Sequence, residues 1–132
     1  MGKIIVTTLV TGDRSQGSHA ILFDSGAACS VVRRDVAEAT CAHFTRLGQP
    51  RCFQGVSGRE AFRCSSTCDL TLLLKNKPLD GRFYIVDHMP REIILGVDYF
   101  QKWGIILDPT RHDFRSDKGP NPSSPCSNRD WS

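Results

Sequence analysis

No apolar run in this 132-residue chain approaches the ~18 to 20 residues that a membrane-spanning helix needs, which excludes a helical span. The start, MGKIIVTTLV, carries one Lys and a short apolar stretch broken by Thr7 and Thr8. It lacks the longer apolar region and small-residue cleavage site of a signal peptide, so a cytoplasmic chain is expected. Cysteine is scarce: six residues are too few for a disulfide scaffold, and reduced thiols are the expectation. Concentrated charge is missing too. Seventeen Lys and Arg against fourteen Asp and Glu leave +3, scattered along the chain, whereas a nucleic-acid-binding face gathers its basic residues. No internal repeat is visible, which excludes a solenoid and a two-lobed enzyme made by tandem duplication within this chain. What is present, 39% hydrophobic and 23% charged residues, is the make-up of one ordinary domain with one modest core.

The ordered domain is expected over residues 1–115. Residues 116–132 read as a disordered tail or linker, because they are rich in Pro, Ser and Gly and almost without apolar side chains. Most of the remainder reads as strands. Residues 3–10 are β-branched, 11–18 carry turn chemistry with two glycines, and 19–23 resume an apolar strand, which makes a hairpin. Residues 30–32 form another short β-prone piece. Asp35 reads as a helix N-cap with Glu38 three residues later, as in a capping box. Small or apolar residues at Val36, Ala37, Thr40, Cys41 and Phe44 then fall at helical spacing. In residues 51–65, β-prone arms flank Gly55-Val56-Ser57-Gly58, the pattern of a hairpin with a glycine-lined tip. Strands at 69–75 and 82–87 are separated by the turn NKPLDG. Residues 93–95 form a short apolar strand, and Asp98 reads as the cap of a helix bearing Tyr99, Phe100 and Trp103, closed by Gly104. Residues 105–107 are a last buried strand. The fold class is therefore mainly β, a barrel or sandwich with two small helices.

The sharpest local feature is Ile21-Leu22-Phe23-Asp24-Ser25-Gly26-Ala27. An apolar strand delivers a carboxylate into small residues that allow a tight turn. A buried carboxylate is costly unless it is hydrogen-bonded or used, although Asp capping a turn is the plain structural alternative. A second feature lies seventy residues on, Glu92-Ile93-Ile94-Leu95-Gly96-Val97-Asp98-Tyr99-Phe100, which alone is a buried strand, a glycine turn and a helix start.

Taken together, in the order hairpin, Asp-Ser-Gly-Ala, glycine-tipped hairpin, further strands, then Ile-Leu-Gly before a short helix, the chain resembles the retropepsin-like aspartic proteases of retroviruses and retrotransposons. The resemblance spans residues 4–114. Ile94-Leu95-Gly96-Val97-Asp98-Tyr99-Phe100, followed by Trp103-Gly104-Ile105-Ile106-Leu107-Asp108, is similar to the retrotransposon branch. Retroviral members instead follow their second Gly with Arg and Asn or Asp.

The resemblance implies a closed acid-protease barrel with a flap hairpin. It implies an aspartic endopeptidase that holds a water between two aspartates and needs no metal or organic cofactor. The chain has one Asp-Ser-Gly, so a homodimer contributing Asp24 from each subunit is implied. Ser25 would brace the pair across the two-fold axis, and Gly26 would turn its amide toward the carboxylate. Ala27 would line the substrate groove. The segment 52–64 would form the flap, with Gly55, Val56, Ser57 and Gly58 at its tip closing over an extended peptide. The natural work implied is processing of a retroelement polyprotein.

Three other readings compete. Cys64 and Cys68 with Cys41 and His43 could assemble a zinc site, although neither pair has the Cys-x-x-Cys spacing. Cys29 or Cys41 could be a nucleophile served by His19, His43 or His88, with no local signature for any pairing. A retropepsin fold without catalysis could serve as a dimerisation or peptide-binding module; the intact Asp24 argues against it.

Overall fold

The computed structural model describes residues 3–54, 61–108 and 110–117. Among the described residues, nine strands and two helices follow one another as β1 (Lys3–Thr11), β2 (Gln16–Asp24), β3 (Val31–Arg33), α1 (Arg34–Thr40), β4 (Thr45–Gln54), β5 (Ala61–Leu74), β6 (Lys77–Val86), β7 (Ile93–Leu95), α2 (Val97–Trp103), β8 (Ile105–Asp108) and β9 (Asp113–Ser116). The sheet order is β1-β2-β7-β3-β6-β5-β4. Pairing of Val10 with Leu72 and of Thr11 with Thr71 joins β1 back to β5 and closes six strands into a barrel, leaving β4 outside the ring as the free arm of the β4–β5 hairpin. Closure removes the exposed edges that β1 and β5 would otherwise present.

The interior is filled by the inward side chains of these strands, with Val10, Ile21, Phe23, Leu72, Leu79, Phe83, Ile93 and Leu95 all fully buried. Each such side chain withdraws enough apolar area to contribute roughly 1.5 to 3 kcal/mol. Phe23 is central. Its ring centroid lies 4.6 Å from that of Phe114 and 6.1 Å from that of Phe100, so β9 and α2 pack directly behind the end of β2. Helix α2 is fixed to β6 by two side-chain bonds. The Tyr99 hydroxyl donates to Leu79 O at 2.7 Å, and Trp103 Nε1 donates to Asp80 O at 2.7 Å. Gly104 ends the helix in the left-handed region (φ 64°), the conformation for which glycine is chosen.

The barrel, the hairpin and both helices stand where the sequence places them, with differences at the boundaries. Strand β2 starts at Gln16, within the segment read as a turn, because Gly17 and Ser18 are paired opposite Val10 and Leu9. The turn falls instead on Lys75, read as the end of a strand, and Asn76, both at positive φ (51° and 64°), and Pro78 already sits in β6 opposite Leu73. That is the tight hairpin geometry whose twist matches the strands it joins. Two expected caps are helical residues instead. Arg33 precedes α1, and Asp35 lies in its first turn, gripped by the Arg33 guanidinium at 2.8 and 3.1 Å. Gly96 precedes α2, and Asp98 is likewise within its first turn. Neither N-cap residue makes a side-chain capping bond, so the capping box expected between Asp35 and Glu38 is absent. Strand β9 was not legible as a strand; it forms by pairing with β8 from Asp108↔Asp113 to Ile105↔Ser116. The stretch read as a tail lies outside the described residues from 118 onward.

Candidate active site

Strand β2 delivers Asp24 to the end of the barrel. Ile21, Leu22 and Phe23 are buried on both faces, and Asp24 follows them with only 3% of its surface exposed. The chain turns immediately: Ala27 N–H donates to Asp24 O at 3.1 Å, and Gly26 N–H donates to Asp24 Oδ1 at 2.9 Å. Among the described residues, the second carboxylate oxygen, Oδ2, is buried and has no hydrogen-bond partner. An isolated buried polar atom of this kind costs the fold free energy. Ser25 and Gly26 are exposed beside it, and Ala27 is half-buried. A Cβ on Gly26 would lie 3.2 Å from Asp24 Oδ1, so the amide approaches the carboxylate closely because the residue is glycine.

Strand β7 holds this turn in place. It runs parallel to β2 (Ile21↔Ile93, Leu22↔Ile94, Phe23↔Leu95) and antiparallel to β3 (Val31↔Ile94, Val32↔Ile93), so it is wedged between the two arms of the Asp24 loop. Beyond it, Val97 N–H donates to Ala27 O at 2.8 Å and Asp98 N–H to Ala28 O at 3.2 Å. Ser30 locks the assembly. Its hydroxyl donates to Asp98 Oδ1 at 2.8 Å while accepting the Gly96 N–H at 2.9 Å, and its own N–H donates to Asp98 Oδ2 at 3.2 Å. The Ile-Leu-Gly motif and the Asp-Ser-Gly motif are thus two halves of one structure.

Above the turn lies a cavity of about 210 Å³, with Ala27, Cys29, Val31 and Ile94 as its floor and Phe53 and Phe62 from the β4–β5 hairpin as its roof. Phe53 and Phe62 are directly paired across the hairpin, as are Arg51 and Cys64 two positions along. These four therefore share a face of the hairpin, the one turned to the cavity. Burial pushes the Cys64 thiol up to about 11, and burial together with the Asp98 charge also raises that of Cys29. Both are neutral thiols at ordinary pH, unsuited to act as nucleophiles.

The sequence-derived site residues Asp24, Ser25, Gly26 and Ala27 are brought together. Gly55, Val56, Ser57 and Gly58 lie outside the described residues, between the arms of the hairpin read as a flap. Sequence reasoning missed Ser30, and it took Asp98 for a cap. It also missed the pairing of Phe53 with Phe62, although the alternation of Arg51 with Phe53 and of Phe62 with Cys64 carries that signal. The cysteines do not converge as a zinc site would require. Cys41 and Cys68 lie in the main core, Cys64 in a second cluster below the cavity, and the exposed His43 accompanies Asp13 at 2.8 Å. Among the described residues no helix is long and apolar enough to cross a membrane.

A sequence model of the family described as Ty3 transposon peptidase matches residues 15–124. No curated protein matches the chain. Among solved structures, the retroviral protease-like domain of Ddi1 from Leishmania major superposes with a TM-score of 0.57 at 14% identity, covering 86% of each chain. EIAV protease, complexed with the inhibitor HBY-793, superposes with a TM-score of 0.51 at 23% identity over 74% of this chain and 86% of its own. The fold is that of the retropepsin-like proteases: a closed six-stranded β barrel, the β4–β5 hairpin beside it, and two short helices.

Proposed function

The chain belongs to the Ty3 transposon peptidase family, and from that premise we propose that it is an aspartic endopeptidase active as a homodimer. The observation that carries the proposal is the Asp24 carboxylate, anchored through Oδ1 to Gly26 N–H and buried with Oδ2 unpartnered. One chain supplies one such group, and peptide hydrolysis of this type needs two. A second copy related by a two-fold axis would set its Asp24 against the first. Two carboxylates about 3 Å apart cannot both ionise cheaply, so the pair holds one proton between them. The ionised member draws a proton from a water, which attacks the scissile carbonyl carbon. The protonated member donates to the carbonyl oxygen, and collapse of the tetrahedral species expels the amine, which takes up a proton. No metal or organic cofactor enters this scheme.

In the proposed dimer Ser25 braces the two loops across the axis, and the exposure of Ser25 in one chain is compatible with that role. The substrate is an extended peptide with apolar side chains near the cleaved bond, lying between Ala27 and the flap tip at Gly55, Val56, Ser57 and Gly58. The apolar floor and roof of the cavity support that reading. Processing of a retroelement polyprotein, in a cytoplasmic setting, is the biological role proposed.

The test is cleavage of a peptide library between about pH 3 and pH 7, with wild type compared with Asp24→Asn. Wild type should cut best below neutrality, since one carboxylate must keep its proton. The variant should be inert yet folded, with an unchanged sedimentation coefficient. Wild type that cuts nothing but binds peptides as a dimer would assign the fold to a peptide-binding module. A stable monomer indifferent to a transition-state-mimicking peptide would overturn the scheme.

A further inference from the structure

We propose that Arg51 selects substrates carrying an Asp or Glu beside the residue that fills the apolar cavity, an inference that rests on the peptidase reading above. Three observations place its guanidinium at the cavity rim. Arg51 shares the cavity-facing side of the hairpin with Phe53 and Phe62, which form the roof. Its guanidinium carbon lies 5.1 Å from the Phe53 ring centroid and 5.2 Å from that of Tyr84, and those two rings are 4.7 Å apart. Its positive charge is also felt by the thiols of Cys29 in the floor and Cys64 beneath the roof.

The fork is held but not neutralised. Nη1 donates to the Tyr84 hydroxyl at 2.6 Å, which uses one of the five N–H donors a guanidinium carries. Among the described residues no carboxylate pairs with Arg51. The two acidic groups felt by the same thiols are engaged elsewhere: Asp98 accepts from Ser30 and Tyr99, and Asp87 is bonded to Arg34. Three other arginines are neutralised by a carboxylate. Arg33 pairs with Asp35 at 2.8 Å, Arg34 with Asp87 at 2.5 Å and Arg82 with Asp69 at 3.6 Å. An exposed arginine resting against a pair of touching rings has already lost much of its rotamer freedom. It therefore offers its remaining donors to a carboxylate in a preorganised, bidentate geometry. A peptide whose apolar side chain enters the cavity carries its neighbouring side chains past this rim.

The experiment uses decapeptides with an apolar pair at the centre. Asp is exchanged for Asn, and Glu for Gln, at each flanking position in turn. Cleavage is read as kcat/KM at about pH 5.5, above the ordinary pKa of both acids. At one position or more, the acid should be preferred over its amide by about threefold to tenfold, the range for a partly exposed charge-assisted contact. The preference should fall to about one in Arg51→Gln and persist in part in Arg51→Lys. It should also weaken as salt rises, because the contact is screened. Binding of the same peptides to Asp24→Asn, followed by fluorescence anisotropy, reads the contact without turnover.

Acid-selective binding that disappears in the Arg51→Gln, Asp24→Asn double variant, with no cleavage by wild type, would uphold the role of Arg51 and overturn the peptidase reading. Cleavage with no position favouring the acid, or a preference unchanged in Arg51→Gln, would overturn the role of Arg51 alone. Should Arg51→Gln fail to fold, an Arg51→Lys variant with a preference identical to wild type at every salt concentration would likewise refute it. Neither binding nor cleavage of any peptide would overturn both.

Discussion

Replacing Gly96 by alanine should destabilise the chain by about 1 to 3 kcal/mol, the usual cost of forcing an extra methyl group into packed structure. A Cβ at this position would lie 2.6 Å from Ala27 O, 2.6 Å from Cys29 O and 2.8 Å from the Cys29 carbonyl carbon, all well inside the 3.4 Å at which ordinary contact begins. These are backbone atoms, so no rotamer change can relieve the overlap. The φ of Gly96 is −107°, a value any residue adopts, and the whole effect is therefore steric. For a domain of this size, 1 kcal/mol moves the melting temperature by about 4 °C, so a fall of about 4 to 12 °C is expected. Urea denaturation should show a lower midpoint with an unchanged slope.

Gly48→Ala is the control. Nothing lies within 4 Å of a Cβ built there, and the backbone is outside the left-handed region, so the substitution should be neutral or stabilising by up to ~1 kcal/mol. Because Ala27 O also accepts the Val97 N–H at 2.8 Å, displacing it disturbs the loop that carries Asp24, and peptide cleavage should fall with stability in the Gly96 variant. A Gly96→Ala chain as stable as wild type, or a Gly48→Ala chain equally weakened, would refute the packing argument.

Ser30→Ala should cost about 1 to 3 kcal/mol, because it strips the fully buried Gly96 N–H of its acceptor and leaves one Asp98 oxygen without its Ser30 donor; equal denaturation midpoints for the two chains would refute this. Glu92 is held below its ordinary 4.5 chiefly by the Ala20 N–H, and further by His19, with partial burial opposing both. A carboxylate whose folded pKa is depressed contributes stability in full above its unfolded value, and that contribution is lost as pH falls through the folded one. Between about pH 6 and pH 3, the melting temperature of wild type should therefore drop more than that of Glu92→Gln, and parallel curves would disprove the assignment.

The motifs were legible because they are local. Three apolar residues ending at Asp24, and Ile-Leu-Gly before a helix, are contiguous patterns, and their joint order pointed to the fold. What joins them was not legible. Ser30 and Asp98 meet through hydrogen bonds of 2.8 and 3.2 Å across 68 positions of sequence, and nothing local to either residue announces the other. Asp98 looked like a cap because Asp before a helical pattern usually is one. It lies instead in the first turn of the helix, and both of its oxygens accept from Ser30. Strand β9 was missed for a related reason. Asp113, Arg115 and Ser116 surround the lone apolar Phe114, and only packing against Phe23 makes that residue a core position. Arg51 escaped attention because a single exposed arginine carries no pattern until the hairpin register aligns it with Phe53 and Phe62.

The register of β7 also imposes an order in time. Ile21 waits for Ile93, and Leu22 for Ile94, as parallel partners. Joining strands so far apart in sequence is paid for in loop entropy before any contact rewards it. While the chain is being synthesised, Asp24 leaves the ribosome at the end of a simple hairpin, and its turn is bolted down only after Gly96 and Asp98 have emerged. In the proposed peptidase, that sequence of events would act as a delay timer. The Asp24 carboxylate precedes most of the barrel in sequence, but its loop gains the bonds from Val97 and Asp98 only when nearly all the barrel strands have been made.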